Sequence, residues 1–200
     1  MTLPSEEFEG SVSGKVPCAL GLFLRSKTYV RNFKVCGTNV VFGRNIRIQG
    51  VSRIILGNNV IIDDNCAIEA KANTTITIGD GVYIGRHTRI ECFAGSIFIS
   101  NNTNISANCH ISSSGRILIG RGAMIAGFVQ ISNSLMKAEN DKDTTLHIGN
   151  NCWICSHASI RQSSFIGDNV TIGAGAVVQG IIDPNQTAVG NPARQISQTA

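Results

Sequence analysis

A six-residue period governs this chain. From Ile148 the sequence divides into "IGNNCW", "ICSHAS", "IRQSSF", "IGDNVT", "IGAGAV" and "VQGIID", whose first residues, 148, 154, 160, 166, 172 and 178, are five steps of six apart. The same unit reads upstream, as Cys36, Phe42 and Ile48; Leu56, Ile62 and Ile68; Ile78, Ile84 and Ile90; Ile99, Ile105 and Ile111; Ile119, Ile125 and Ile131. The fifth residue of each unit is small or branched, as at Val60, Cys66, Thr103, Ala123, Cys152 and Ala176. Gly, Asn and Asp lie between, the residues that tolerate positive φ and make tight turns. Each hexad therefore reads as a short strand that points one aliphatic residue inward, followed by a corner.

Hexads come in threes. The first units of successive triplets start at 36, 56, 78, 99, 119, 148 and 166, so the steps are 20, 22, 21, 20, 29 and 18 residues. Three hexads are 18 residues, and the small excesses fall after the third hexad, at one corner of a triangle. This pattern predicts a three-sided parallel β-solenoid of about seven coils, spanning residues 35–196, in which each coil buries its aliphatic residues against the next. One excess, of 11 residues after Ile131, is large and predicts a loop extruded over 132–147.

Composition narrows the function. Hydrophobic residues are 42% and charged residues 15% of the 200, which excludes a disordered chain. A net charge of +4 is too weak to indicate nucleic acid as a partner, although it suits a small anionic ligand. Seven cysteines are scattered without regular spacing, which fits a reducing, cytoplasmic setting rather than a disulfide framework. Cys152 and Cys155 form a C-x-x-C, but the register makes one the small fifth residue of a hexad and the other the second residue of the next. Packing explains both. No metal is expected.

The hexad itself, the closing "IGDNVTIGAGAVVQGIIDPNQTAVGNPARQI" and the segment "HIGNNCWICSHASI" resemble the hexapeptide-repeat acyltransferases. In layout the chain is most similar to the sugar and surface-polysaccharide O-acetyltransferases. The resemblance covers roughly 35–196. It implies a left-handed parallel β-helix, a homotrimer with sites between adjacent prisms, and acetyl transfer from acetyl-CoA to a hydroxyl or amine of a sugar or polysaccharide precursor. It also implies that Trp153, Ser156, Ala174, Gly175 and Arg194 line the coenzyme groove. The residues agree: nothing bulky projects from Gly173 to Ala176, so a thin pantetheine arm could approach the backbone, and Arg194 offers a fork for a phosphate.

The chain departs from the family at the catalytic base. The family carries a His on the third hexad before the loop, in a pattern like Ile-x-Asp-x-x-His. Here "ISNSLM" places Asn133 where the Asp would stand and Met136 where the His would stand. Methionine has no basic site near neutral pH, and a positioned base contributes roughly 10²–10⁴-fold. His147, at the end of the loop, and His157, at a corner one coil further on, are the candidate substitutes. His87 and His110 read as surface positions. Glu139, Asp141 and Asp143 in the loop are weak bases unless buried.

Residues 1–34 precede the repeat and 197–200 follow it. "VPCALGLFLRSKTYVRNFK" reads as a partly helical cap over the open first coil, because solenoid ends need covering. A competing reading makes residues 15–34 a basic amphipathic segment that touches the inner face of a membrane. The function has two readings as well: an acetyl-CoA-dependent acyltransferase with a relocated base, or a catalytically degenerate trimer retained for binding or scaffolding.

Overall fold

The computed structural model describes residues 7–8, 21, 29, 33–133 and 145–196. Their strands form three sheets of eight, eight and nine members, and each sheet is one face of a triangular prism. The chain visits the faces in strict rotation. The first coil lays Val35–Cys36 on face one, Val41–Phe42 on face two and Arg47–Gln49 on face three. The second repeats this with Ile54–Leu56, Ile61–Ile62 and Ala67–Ala70, paired in parallel with the strands before them. Seven complete coils follow this rule, and Ile181–Ile182 and Thr187–Val189 begin an eighth. The two ends break the parallel rule. Glu7–Phe8 pairs antiparallel with Arg47–Gln49, and Arg194–Ile196 pairs antiparallel with Thr187–Val189.

The hexad explains the geometry residue by residue. Its first residue points inward: Ile62, Ile84, Ile105, Ile125, Ile154 and Ile172 form one buried column beneath face two. Its fifth residue fills the corner interior, and Val60, Cys66, Val82, Thr88, Thr103, Cys109 and Ala123 are all buried. Polar members of that set bond to backbone, as Thr103 does by donating its hydroxyl to Gly120 O at 3.0 Å. Cys152 belongs here too, its thiol 3.0 Å from Gly167 O, while Cys155 sits half-buried at a corner, so neither forms a pair. Burial pushes both thiols up.

The fourth residue turns the corner in the left-handed conformation. Asn39, Asn45, Asn59, Asn65, Asn102, Asn108, Asn151, Asn169 and Asn185 all have φ between 52° and 61°. Asparagine tolerates this region; most L residues pay about 1–2 kcal/mol for it. Stacked asparagines also bond to one another, as Asn169 Nδ2 donates to Asn185 Oδ1 at 3.0 Å.

The sequence excesses lie at the corner between face three and face one, as expected. The boundaries of the extruded segment differ. Strands run through Gln130–Asn133 and resume at Thr145–Ile148, so both ends of the expected 132–147 loop are in the sheets. Asn133 is buried and donates from Nδ2 to Arg116 O at 2.8 Å, which explains why the strand persists to that point. Met136, Glu139, Asp141 and Asp143 lie outside the described residues. At the N-terminal end, Tyr29 is buried and meets Phe42 edge-on at 5.4 Å, and Phe33 stacks on Phe42 at 5.7 Å. These contacts cover the first coil. The rest of residues 15–34, with the expected cap or membrane-facing segment, lies outside the described residues, as do 197–200.

Replacing Ile125 by Ala should cost about 2–5 kcal/mol, because its column is closed above and below and cannot collapse into the gap. Chemical denaturation of the Ile125→Ala variant against the wild type checks this.

Candidate active site

The corners differ in how they treat one backbone group. At two of the three corners, those on either side of face two, the fourth residue donates its N–H to the third residue's carbonyl one coil earlier, as Asn59 does to Thr38 O at 2.8 Å and His157 to Gly127 O at 3.2 Å. The third residue's own N–H needs another acceptor. At the corner between faces one and two, side chains of the next coil supply it in most coils, Asn101 and Asp168 excepted. Thr38 N–H donates to Asn58 Oδ1, Asn58 N–H to Asp80 Oδ1, Asp80 N–H to Asn101 Oδ1, and Asn150 N–H to Asp168 Oδ1, at 2.6–3.0 Å.

At the corner between faces two and three this capping stops after Arg44, whose N–H meets Asp64 Oδ1 at 2.7 Å. From the fourth coil to the seventh, the second and third residues are Ser106 and Ala107, Ala126 and Gly127, Cys155 and Ser156, then Gly173 and Ala174. None of their side chains accepts from the N–H of the coil before. The N–H groups of Ala107, Gly127, Ser156 and Ala174 make no hydrogen bond among the described residues. Earlier coils block the same corner with charged side chains, in the pairs Arg44–Asp64 and Arg86–Asp63. The result is a lane of small side chains and free backbone donors. It is roughly 14 Å long at ~4.8 Å per coil.

Four of the residues expected in the groove meet on this lane. Ser156, Ala174 and Gly175 form its floor, and Trp153, half-exposed on face two, forms a wall. Gly175 has φ of +67°, and a Cβ there would meet nothing within 4 Å, so its position is open to a ligand. Arg194 joins them at the far end. Ala193 N–H donates to Val177 O at 2.8 Å, which ties the exposed Arg194 beside the seventh coil.

The two expected histidines separate. His157 is on the lane, at the left-handed fourth position with φ of 62°. Its ring stacks on Phe128, also left-handed, with centroids 4.9 Å apart and planes 6° from parallel. The next rung is Gly175, so the ring's far face is left open to a planar group. His147 is elsewhere. It belongs to the strand Thr145–Ile148 on face one, where its N–H donates to Ser164 O at 2.9 Å and its ring stacks on Phe165 at 4.7 Å. It is a fixed strand residue rather than a loop residue, and it stands away from its own chain's lane.

One pair was not anticipated. His110, read from the sequence as a surface position, places Nε2 2.8 Å from Glu91 Oε2, and Arg89 Nη2 lies 2.5 Å from the other oxygen. Glu91 projects outward from face three yet is only 8% exposed. Burial pushes its carboxyl up, but the hydrogen bonds from His110 and Arg89 outweigh this and hold it below the usual carboxylate range. Coil arithmetic could have found the contact, since these residues are 19 apart, close to one coil.

Comparison with known proteins decides the family. Residues 145–180 match the model described as bacterial transferase hexapeptide (six repeats). The dTDP-4-amino-4,6-dideoxy-D-glucose acyltransferase of Escherichia coli is 30% identical over 168 residues, covering 83% of this chain and 82% of the relative. This chain belongs to the hexapeptide-repeat acyltransferases. Among solved structures, the polysialic acid O-acetyltransferase OatWY is 25% identical, with a TM-score of 0.63 over 82% of this chain and 81% of that one. A variant of the N-acyltransferase AntD from Bacillus cereus, crystallised with coenzyme A and dTDP-4-amino-4,6-dideoxyglucose, is 22% identical, with a TM-score of 0.57 over 86% and 87%. The fold shared with these hexapeptide-repeat enzymes is the left-handed parallel β-helix.

Because folding lowers the Glu91 pKa, the His110–Glu91–Arg89 cluster stabilises the protein above the ordinary carboxylate range. That contribution is lost as pH falls through the lowered value. Below about pH 4 the melting temperature of Glu91→Gln should therefore fall less steeply with acid than that of the wild type.

Proposed function

We propose that this chain transfers an acetyl group from acetyl-CoA to a hydroxyl or amine of a sugar or polysaccharide precursor. The observation that carries this is the lane of free N–H groups at Ala107, Gly127, Ser156 and Ala174. A pantetheine arm is thin, unbranched and rich in amides. It suits a strip where backbone donors are exposed and side chains are absent. Arg194 sets the direction by pairing with a phosphate of the coenzyme at the C-terminal end, so that the thioester points toward the fourth coil. Trp153 packs along the arm, and the open face of His157 receives a planar group. Relatives of the same family support the acceptor class, since their names specify amino-sugar and polysaccharide substrates.

The working form in this reading is a homotrimer in the cytoplasm. Face one supports it. Its outward positions Val35, Phe98, Phe165 and Ile181 are large, apolar and exposed, in register with Ile55 and Leu118. A largely apolar strip of this kind, interrupted by Thr77 and His147, is what a self-association surface needs. His147 lies in that strip, so any contact it makes with a lane would be with that of a neighbouring copy.

Two measurements test the reading. Calorimetry should detect acetyl-CoA binding to the wild type, and Ala174→Trp, which fills the lane without touching the core, should weaken it at least tenfold with an unchanged melting temperature. Sedimentation equilibrium should give three times the 21.3 kDa chain mass. Phe98→Asp should shift that distribution toward monomer.

A further inference from the structure

We infer that His110, oriented by Glu91, is the general base of the transfer, in place of the family histidine that Met136 displaces; this rests on the acyl-transfer reading above. His110 is the sixth residue of the fourth-coil hexad whose third residue, Ala107, opens the lane. It is the first residue of the strand His110–Ser113, so it faces outward on face three, at the end of the lane opposite Arg194.

The hydrogen bond fixes which nitrogen can work. An ionised carboxylate can only accept, and Glu91 is held ionised by the donors beside it, the Arg89 guanidinium among them, in spite of its burial. Nε2 must therefore carry the proton, which leaves Nδ1 with its lone pair. The side chain of His110 is 41% exposed, against 10% for Glu91, so a substrate can reach the ring while the carboxylate stays shielded. Proton uptake at Nδ1 makes an imidazolium whose charge Glu91 stabilises. Among the described residues, no other histidine lies within ion-pair distance of a carboxylate. His157 is engaged with Phe128, and His87 stands at a corner in the third coil.

The surroundings fit a hydroxylated acceptor. Gln130 is the next rung beside His110. In the neighbouring column Ser112 donates to Ser132 Oγ at 3.3 Å, and that column continues through Glu91. Face one presents Phe98 in the same coil, and face two presents Asn104 there and Met124 and Trp153 in the next two coils, so face three is more polar than face one at this height. A sugar lying across it would place an attacking group between the imidazole and the end of the lane.

The chemistry balances with these groups alone. The acceptor O–H or N–H loses its proton to His110 Nδ1 as oxygen or nitrogen bonds to the thioester carbon. Free N–H groups at the lane's end, Ala107 and Gly127, face the oxyanion that develops. The intermediate collapses, the C–S bond breaks, and the imidazolium returns the proton to the departing sulfur. Acetylated acceptor and free coenzyme A leave, and His110 is neutral again.

Thiol release from acetyl-CoA tests this, with water and with a panel of simple glycosides and dTDP-4-amino-4,6-dideoxyglucose as acceptors. His110→Ala and the bulkier His110→Gln should both lose about 10²–10⁴-fold in kcat. Acetyl-CoA affinity by calorimetry should stay within twofold, and added imidazole should restore part of the His110→Ala rate. Glu91→Gln should lower kcat less and move the acid limb of the kcat/KM profile to lower pH, because the imidazolium loses its counter-charge. Arg89 and Glu91 face the ring from one side, with Glu69 a strand further on, and uncharged Gln130 from the other. Folded His110 variants that bind acetyl-CoA and keep kcat within twofold of wild type would overturn the assignment and leave the acyl-transfer reading standing. So would a kcat loss that imidazole cannot rescue, accompanied by a raised KM. A wild type that neither binds acetyl-CoA nor releases thiol would remove both.

Discussion

One hydrogen bond is repeated up both corners that flank face two, and the rest of the molecule depends on it. The fourth residue of each hexad turns left-handed and donates its N–H to the third residue's carbonyl one coil below, from Asn59 to Thr38 at the start to Asn185 on Asp168 at the end. This bond locks the coil-to-coil register, and register is what stacks isoleucine on isoleucine in the core. It also uses the third residue's carbonyl and leaves that residue's N–H without a partner. The fold must therefore dispose of one orphan donor per coil at each of these two corners.

Two corners answer differently, and the difference creates the lane. Between faces one and two, Asn and Asp from the next coil cap the orphan in all coils but those of Asn101 and Asp168, which also draws Asp168 below the usual carboxylate range through the Asn150 backbone donor. Between faces two and three, from the fourth coil on, Ala, Gly and Ser replace Asx, and the donors are left exposed. In the proposed reading, a binding surface arises from leaving out caps rather than from adding groups. Such a strip binds a thin, polar chain well and a bulky one poorly, which is the shape of a coenzyme arm. It is extended by Arg194 at one end and by His110 and Glu91 at the other.

Most of the fold was legible from the sequence. The period of six, its grouping in threes and its inward first and fifth residues follow from side-chain size and turn chemistry alone, and Ile125, Cys152 and Ala176 occupy the expected places. The ends of the extruded segment were not, because Ser132, Asn133 and His147 are polar residues that pair as strand. Asn133 is held by a bond to Arg116 O that no periodicity announces. The site was half legible. Trp153, Ser156, Ala174, Gly175 and Arg194 were named from resemblance and small size, and the first four lie along one lane. The free N–H ladder and the His110–Glu91 pair were missed, since each depends on which residues lie one coil apart rather than on any motif within a coil.

The account turns on the uncapped donors, and amide hydrogen exchange reads them directly. In the free protein, the amides of Gly127, Ser156 and Ala174 should exchange fast, while the capped amides of Thr38, Asn58 and Asn150 exchange slowly. Saturating acetyl-CoA should slow the first group and leave the second unchanged. Protection that appeared on face one or at the capped corner, with the lane still exchanging freely, would contradict the central claim.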